Sequence, residues 1–239
     1  MDKISSLSII IPAFNDEVTI EKVLAQAVQI GEEYSNQYEI VVIDDGSTDK
    51  TYKKIERESQ KNKRIKFKYH LKNLGFGVTI KELYYSARYD YIFSIPGDRQ
   101  IRADVIKLLI PQLKTHDFII GLRKKRMDSW LRRLQSRSYN RLMRILFQIN
   151  LRDVNSTKLF PRSILGQISL VTSSAFIDTE LCIKTIRNGF KISEVEIPHY
   201  PRGALGGIGV MNLKIVLPVI RDLIIFWGTR LLMKSIIFI

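Results

Sequence analysis

Two hydrophobic rhythms share the first half of this chain. Short stretches rich in apolar, often β-branched residues fall at 7–11, 38–43, 65–69, 91–95 and 118–121, and each predicts a strand. Between them apolar positions recur every three or four residues, as Ile20, Val23, Leu24, Ala27 and Val28 do within a helix expected over 16–28. Pro12 stops the first strand, and Asn15 stands where a helix N-cap is needed. Further helices are expected from Thr51, over 78–88 and over 104–113. The second half is less regular. A helix over 129–147, another over 174–188 stopped by Gly189, and an alternating strand over 191–197 precede the Pro/Gly-rich stretch PHYPRGALGGIG. No internal repeat or low-complexity tract interrupts this order. Strand–helix alternation of this length requires right-handed crossovers, so the expected fold class is α/β, a mostly parallel central sheet with helices on both faces. Such sheets bind ligands at the carboxyl ends of their strands, where the acidic and glycine-bearing turns of this chain fall.

The last stretch, 211–239, follows neither rhythm. It is the most apolar part of the chain, yet Arg221, Asp222, Arg230 and Lys234 interrupt it, and Pro218 and Gly228 are expected to break it. A spanning helix needs about 20 mostly apolar residues, and central charges are costly there. The expectation is one or two helices lying in a membrane interface, with Trp227 and the basic groups at headgroup level. The plainer alternative is a helical pair packed on the domain. The chain thus divides into a main domain at 1–209 and an apolar, interfacial helical tail at 210–239.

Composition narrows the class. Of 239 residues, 45% are apolar and 26% charged, which excludes wholesale disorder and a polytopic membrane protein. The single cysteine, Cys182, excludes an internal disulfide framework, points to a reducing compartment and is expected in the core. His70, His116 and His199 make no zinc-like spacing, and His199 is expected at the surface or at a gate. The first residues lack a basic leader and meet Pro12 early, so no secretory signal is expected.

The 38 Lys+Arg exceed the 24 Asp+Glu to give a formal charge of +14, which calls for an anionic partner. Nine of the basic residues, from Arg123 to Arg144, face only Asp128, so this short stretch carries +8. Within its helix, Leu131, Leu134, Leu142 and Ile145 mark one side, and Arg133, Arg137, Arg141 and Arg144 are expected on the opposite one. No nucleic-acid module is present, and acidic strand ends argue against nucleic acid. The excess reads as a docking face for anionic lipid headgroups.

Two turns carry candidate chemistry. In Asp44-Asp45-Gly-Ser-Thr-Asp49, paired carboxylates after a buried-type strand can accept hydrogen bonds from a base and a ribose, although Asp-Gly-Ser is also ordinary turn chemistry and Asp49 also suits a helix cap. In Ser94-Ile-Pro-Gly-Asp98-Arg-Gln100, Asp98 and Gln100 offer hard oxygen donors for Mg²⁺ or Mn²⁺ held mainly through substrate phosphates. The alternative there is a Pro-Gly turn anchored by Asp98.

Taken together, SIIIPAFNDE, EIVVIDDGSTDKT, KNLGFGVTIKELYYSA and DYIFSIPGDRQ resemble, in order and spacing, the family-2 glycosyltransferases with the glycosyltransferase-A fold. RDVNSTKLFPRSIL and FIDTELCIKTIRNGFKISEVEIPHYPR look most like the branch of dolichol- or polyprenyl-phosphate sugar (mannose) synthases, and the resemblance covers residues 7–202. It implies a nucleotide-sugar donor, whose base and ribose Pro12, Phe14, Asp16, Asp44 and Asp45 would line. It implies a metal site at Asp98 and Gln100, with Pro96 replacing the first aspartate of the usual Asp-x-Asp-x-Gln. Asp153 matches a further family aspartate in a loop one residue short. Asp98, Asp153, Asp178 and Arg202 would serve the reaction, Asp178 more as an acceptor-orienting group than as a base. Arg123, Arg133, Ser136 and Asn140 match positions that hold an acceptor phosphate, as does Arg202.

The chemistry explains why those residue types suit the task. Cleaving a sugar–diphosphate bond requires charge neutralisation on the leaving group, which a metal and Arg/Lys supply. A hydroxyl acceptor needs a carboxylate base, whereas a lipid phosphate is already anionic and needs cations. Ile177 stands where hydroxyl-acceptor relatives carry the Glu of a Glu-Asp pair, and arginines grip phosphate at two points. The expectation is therefore an inverting sugar transferase from a nucleotide-sugar to a polyprenyl phosphate, at the cytoplasmic face of a membrane. The alternatives are transfer to a hydroxyl of a lipid-linked or surface glycan, and a weakly active or inactive nucleotide-binding relative.

Overall fold

The computed structural model describes residues 3–124, 127, 130–201 and 213–236, with the side chains of 216–228 in the last segment. In chain order the elements are β1 (Ile4–Ala13), α1 (Ile20–Tyr34), β2 (Ser35–Asp44), α2 (Thr51–Lys61), β3 (Ile65–Tyr69), α3 (Phe76–Ser86) and β4 (Tyr91–Ser94). Then follow α4 (Ile106–Leu109), flanked by 3-10 turns at Ala103–Val105 and Ile110–Lys114, β5 (Phe118–Lys124), α5 (Trp130–Phe147), β6 (Lys158–Pro161), α6 (Ser163–Gln167), α7 (Ile177–Arg187), β7 (Ile192–Pro198) and α8 (Leu213–Ile236).

The strands form one seven-stranded sheet in the order β3-β2-β1-β4-β6-β5-β7. All neighbours are parallel except β6, which runs antiparallel to both β4 and β5. The expected α/β class with a mostly parallel sheet is what the chain adopts. Near-continuous apolar runs in β1 and β2 fit burial on both faces. Ile10, Val41 and Ile43 face a core shared with α3, α5 and α7. Leu7, Ile9, Ile11, Ile40 and Val42 face the other, shared with α1 and α4.

Several boundaries move for identifiable reasons. The helix expected from residue 16 starts at Ile20, because Asp16 O accepts from the N–H groups of both Thr19 and Ile20 in a turn. The strand β6 was not expected from the sequence, since four residues that begin on lysine and end on proline carry no period. Along α5 the buried face is Asn140, Met143 and Phe147, while Leu131, Leu134, Leu142 and Ile145 are exposed. At about 100° per residue, Arg133, Arg137, Arg141 and Arg144 fall beside that leucine stripe and not opposite it. The tail is one helix that runs through both Pro218 and Gly228 instead of breaking there. A proline in the second turn forfeits a single helical hydrogen bond, and packing of the helix on the domain offsets that loss. Phe226 of α8 sits 5.7 Å from Phe147 and 5.4 Å from Phe176.

Candidate active site

The parallel register sets the carboxyl ends of β1, β2 and β4 side by side. Ala13 is opposite Asp44, Ile95 N–H donates to Ile10 O, and Gly97 N–H donates to Pro12 O. The antiparallel β6 begins at the same edge, with Lys158 opposite Ser94. Two adjoining cavities open there, of about 350 and 180 Å³, and share Pro12, Phe76, Pro96 and Asp98.

The larger cavity brings together Pro12, Phe14, Asp16 and Asp45 from the residues the sequence singles out. Asp16 holds the turn after β1, accepting from Phe14 N–H at 3.1 Å, while its own N–H donates to Thr51 Oγ1 at 2.8 Å. A Cβ on Gly97 would stand 2.7 Å from Asp16 Oδ2, so the two turns pack closely here. Asp44 lines neither cavity. It accepts from the Ser47 hydroxyl, and burial raises its carboxyl above the ordinary value. Asp49 accepts from Thr51 N–H at 2.9 Å, as an anchor of the first turn of α2.

Asp45 organises the opposite wall. Its two oxygens accept from Leu74 N–H and Gly75 N–H, both at 2.9 Å, and Oδ1 also meets His70 Nδ1 at 2.7 Å. The other ring nitrogen of His70 lies 3.1 Å from Glu82 Oε2. Burial alone would lower the His70 pKa, but the bonds to Asp45 and Glu82 outweigh it and hold the ring above its usual value. No sequence period marks His70. Its place directly after β3 is the only signal.

The smaller cavity joins Asp98, Gln100, Arg123, Asp178 and His199. Asp98 Oδ1 accepts from Gln100 N–H at 3.0 Å, which turns the loop back on itself. Arg123 and Asp153 form a two-pronged pair, with Nε–Oδ2 at 2.7 Å and Nη2–Oδ1 at 2.6 Å, so the guanidinium is oriented from β5. Asp178 is buried at the base of the cavity, where Oδ1 accepts from the Tyr84 hydroxyl at 2.9 Å and meets Lys158 Nζ at 3.1 Å. Lys158, 1% exposed, is a functional-site neighbour that sequence reasoning missed. His199 is buried, not at the surface, and its Nδ1 accepts from Met127 N–H at 3.1 Å.

Other expected residues lie outside both cavities. Asn140 is buried, donates to Ser136 O at 2.9 Å and accepts from Val154 N–H at 3.2 Å, which ties α5 to the loop bearing Asp153. Ser136 is half-buried and Arg133 exposed on α5, while Arg202 lies outside the described residues. Glu180 accepts from the N–H groups of Val171 and Thr172 and pairs with Lys184. Cys182 is buried in the core, where burial pushes its thiol up to about 12.

Among the described residues, no group of three or more His, Cys, Asp or Glu is placed to hold a metal ion. A single carboxylate beside an amide, at Asp98 and Gln100, instead suits a small divalent ion whose remaining ligands are phosphate oxygens and water. The residues present fit a metal brought in with a diphosphate.

Comparisons with known proteins agree with this geometry. Glycosyltransferase AglD of Haloferax volcanii is 24% identical over 82% of this chain and 33% of its own length. Dodecaprenyl-phosphate galacturonate synthase of Rhizobium johnstonii is 26% identical over 91% of this chain and 65% of its own. An undecaprenyl-phosphate 4-deoxy-4-formamido-L-arabinose transferase of Proteus mirabilis is 26% identical over 59% of this chain and 44% of its own. The chain thus spans between a third and two thirds of the length of these relatives. Glucosyl-3-phosphoglycerate synthase of Mycobacterium tuberculosis, solved with Mn²⁺, UDP-glucose and phosphoglyceric acid, shares the fold at a TM-score of 0.70. It is 17% identical over 94% of this chain and 80% of that one. Residues 8–169, more than half of the chain, match the family description Glycosyl transferase family 2. By this match the chain belongs to glycosyl transferase family 2.

Proposed function

We propose that this protein transfers a sugar, with inversion, from a nucleotide-sugar to a polyprenyl phosphate at a membrane surface. The observation that carries the reading is the pairing of Asp178 with Lys158 and Tyr84 in the smaller cavity. That oxygen is committed to a lysine and a phenol that fix the cavity floor, the arrangement of a structural group. An acceptor that arrives as an anion needs no carboxylate base. The relatives named for undecaprenyl- and dodecaprenyl-phosphate substrates support the same choice.

In this reading Pro12, Phe14, Asp16 and Asp45 bind the nucleoside in the larger cavity. Asp98 and Gln100 would hold Mg²⁺ or Mn²⁺, which neutralises the leaving diphosphate when bound. Arg123, held in place by Asp153, presents its guanidinium to the smaller cavity, where the acceptor phosphate sits. Its oxygen attacks the anomeric carbon opposite the diphosphate, and the new C–O bond forms as the old one breaks. No proton needs to move. Asp178 and Lys158 keep the cavity floor fixed, and His199 forms part of its rim. Arg133, Ser136 and Arg202 serve the approach of the acceptor.

The outer face of α5 supports a membrane setting. Ile145, 66% exposed, continues the line of Leu131, Leu134 and Leu142, and Trp130, 68% exposed, stands among the four arginines beside it. Leu217, Ile220, Ile224, Ile225 and Trp227 of α8 are also exposed. Among the described residues no helix is long and apolar enough to cross a membrane. In this reading both helices lie in the interface, apolar residues down and arginines among headgroups.

Incubation with a panel of labelled nucleotide-sugars, Mn²⁺ and polyprenyl phosphate tests the reading, with an acid-labile lipid product expected. Asp98→Ala should lower turnover by about 10²-fold or more, the scale of losing one electrostatic stabiliser. Label appearing only in glycan hydroxyls would replace the acceptor. Absence of turnover, together with nucleotide binding unaffected by Asp98→Ala, would make this an inactive relative.

A further inference from the structure

The helix α8 reaches the larger cavity directly. Four consecutive backbone amides precede α7, and two buried carboxylates take up all four. Glu180 accepts from Val171 N–H and Thr172 N–H, each at 2.9 Å. Asp222, the sole acidic residue of α8, accepts from Ser173 N–H at 3.2 Å and Ser174 N–H at 3.0 Å. Ser173 and Ser174 line the larger cavity, and so does Pro218, one turn before Asp222 on the same helix.

Three further contacts make this seat specific. Phe226, one turn beyond Asp222, is buried against Phe147 and Phe176, which fixes the rotation of α8 with Asp222 inward. Ser174 O lies so close to Gly77 that a Cβ there would come within 2.2 Å of it. A shift of the Ser173–Ser174 turn therefore reaches the start of α3, whose Gly77 lines the same cavity. Burial would raise the Asp222 carboxyl, but the bonds from Arg221, Ser173 and Ser174 outweigh burial and hold it below its usual value, as an anion. An anion accepting two backbone amides makes charge-assisted bonds, the stronger kind.

We propose that α8 forms a wall of the donor cavity and that Asp222 is a positioning residue for donor binding, acting through the amides of Ser173 and Ser174. The proposal rests on reading the larger cavity as the nucleotide-sugar site. Seating of α8 and donor binding are then linked, and each strengthens the other by the same factor. The stretch that carries the exposed apolar face thus reports its own docking to the site where the donor binds.

The test uses the full chain with UDP and GDP, each with Mn²⁺, titrated by calorimetry, and acceptor kinetics measured at saturating donor. In Asp222→Asn the nucleotide Kd should rise about 10- to 100-fold, the scale of a displaced positioning group. Acceptor KM and kcat at saturating donor should stay within about twofold, and Asp222→Glu should recover part of the loss. An unchanged nucleotide Kd in Asp222→Asn overturns the proposal, and so does an equal loss in donor affinity, acceptor KM and kcat. Should Asp222→Asn not fold, Pro218→Trp fills the cavity from α8 without touching the amide bonds. Donor affinity must then fall, and undiminished affinity overturns α8 as a wall. If the native chain binds neither nucleotide, the donor reading fails, and amide exchange decides the seat by itself. Faster exchange at Ser173 and Ser174 in Asp222→Asn, with Val171 and Thr172 unchanged, upholds it, and equal exchange overturns it.

Discussion

The two cavities handle their carboxylates in different ways. Around the larger one, acids end on nearby backbone: Asp16 on Phe14 N–H, Asp45 on Leu74 and Gly75 N–H, Asp49 on Thr51 N–H. Around the smaller one, Asp98 also ends on backbone, but two further acids meet cationic side chains carried by strands, Asp153 on Arg123 and Asp178 on Lys158. A carboxylate that accepts amides shapes a loop and tolerates a change in any one donor. A buried ion pair is conditional on both members, because removing one leaves an unpaired charge. The larger cavity thus leans on turns, and the smaller one adds ion pairs. The first kind moulds to a large ligand, and the second sets charge at a point.

The sharpest way to break this comparison is at the fully buried pair. Lys158→Met should cost about 3–5 kcal/mol of stability, the usual penalty for orphaning a buried charge. The double variant Lys158→Met/Asp178→Leu should recover most of that loss in urea unfolding, since an apolar pair of similar volume removes the charge altogether. Transfer activity should not return with it. A single variant within 1 kcal/mol of the native chain, on the order of an exposed pair, would show that the smaller cavity is no more conditional than the larger.

A smaller effect is expected at His70, where the larger cavity also relies on a pair. His70→Gln removes a ring held by both Asp45 and Glu82, and should cost roughly 1–3 kcal/mol at pH 6, on the scale of a lost charge-assisted bond. The sign follows from the direction of the shift. The His70 pKa is raised in the fold, so its stabilisation is complete below the unfolded value of about 6.5 and fades as pH rises through the folded one. The difference between native and His70→Gln chains should therefore shrink from pH 6 to pH 9 in paired thermal melts. Nucleotide affinity should follow the same trend, because Asp45 shapes the Leu74–Gly75 turn. A difference that grows with pH would mean the ring acts neutral, as a hydrogen-bonding group alone.

This contrast also explains what the sequence made legible. The strand β3 at Ile65–Tyr69 has the expected bounds, and paired acids and glycine mark the turns after β2 and β4, whereas β1 runs on through Pro12, the residue expected to stop it, to Ala13. Those features are local, so the residues that make them are neighbours in the chain. Lys158 and Asp178 are not neighbours, and a lysine in a four-residue strand reads as surface until its partner from α7 is known. Asp222 reads as an interruption of an apolar tail, whereas its purpose lies in two amides nearly 50 residues earlier, |i−j| being 49 and 48. The arginines of α5 lie beside the leucine stripe and not opposite it for a similar reason. Only the packing of Asn140, Met143 and Phe147 reveals which face is inward.

The smallest stability effect, and the clearest separation of stability from setting, is expected on the outer face of α5. Leu134 and Ile145 are exposed, at 52% and 66%, and touch neither cavity. Leu134→Ser/Ile145→Ser should leave unfolding within about 0.5 kcal/mol per site, as surface changes do. Binding to vesicles that contain anionic lipid should nevertheless weaken, since each buried apolar side chain contributes to an interfacial helix. Arg137→Gln and Arg141→Gln should each remove about 1 kcal/mol of that binding at low salt and less at high salt. Flotation with neutral and anionic vesicles separates the two contributions. The leucine changes should weaken binding to both kinds, and the arginine changes only to the anionic kind. If neither pair of changes alters flotation while α8 remains intact, the leucine stripe has no lipid to face, and the interfacial role belongs to the tail alone.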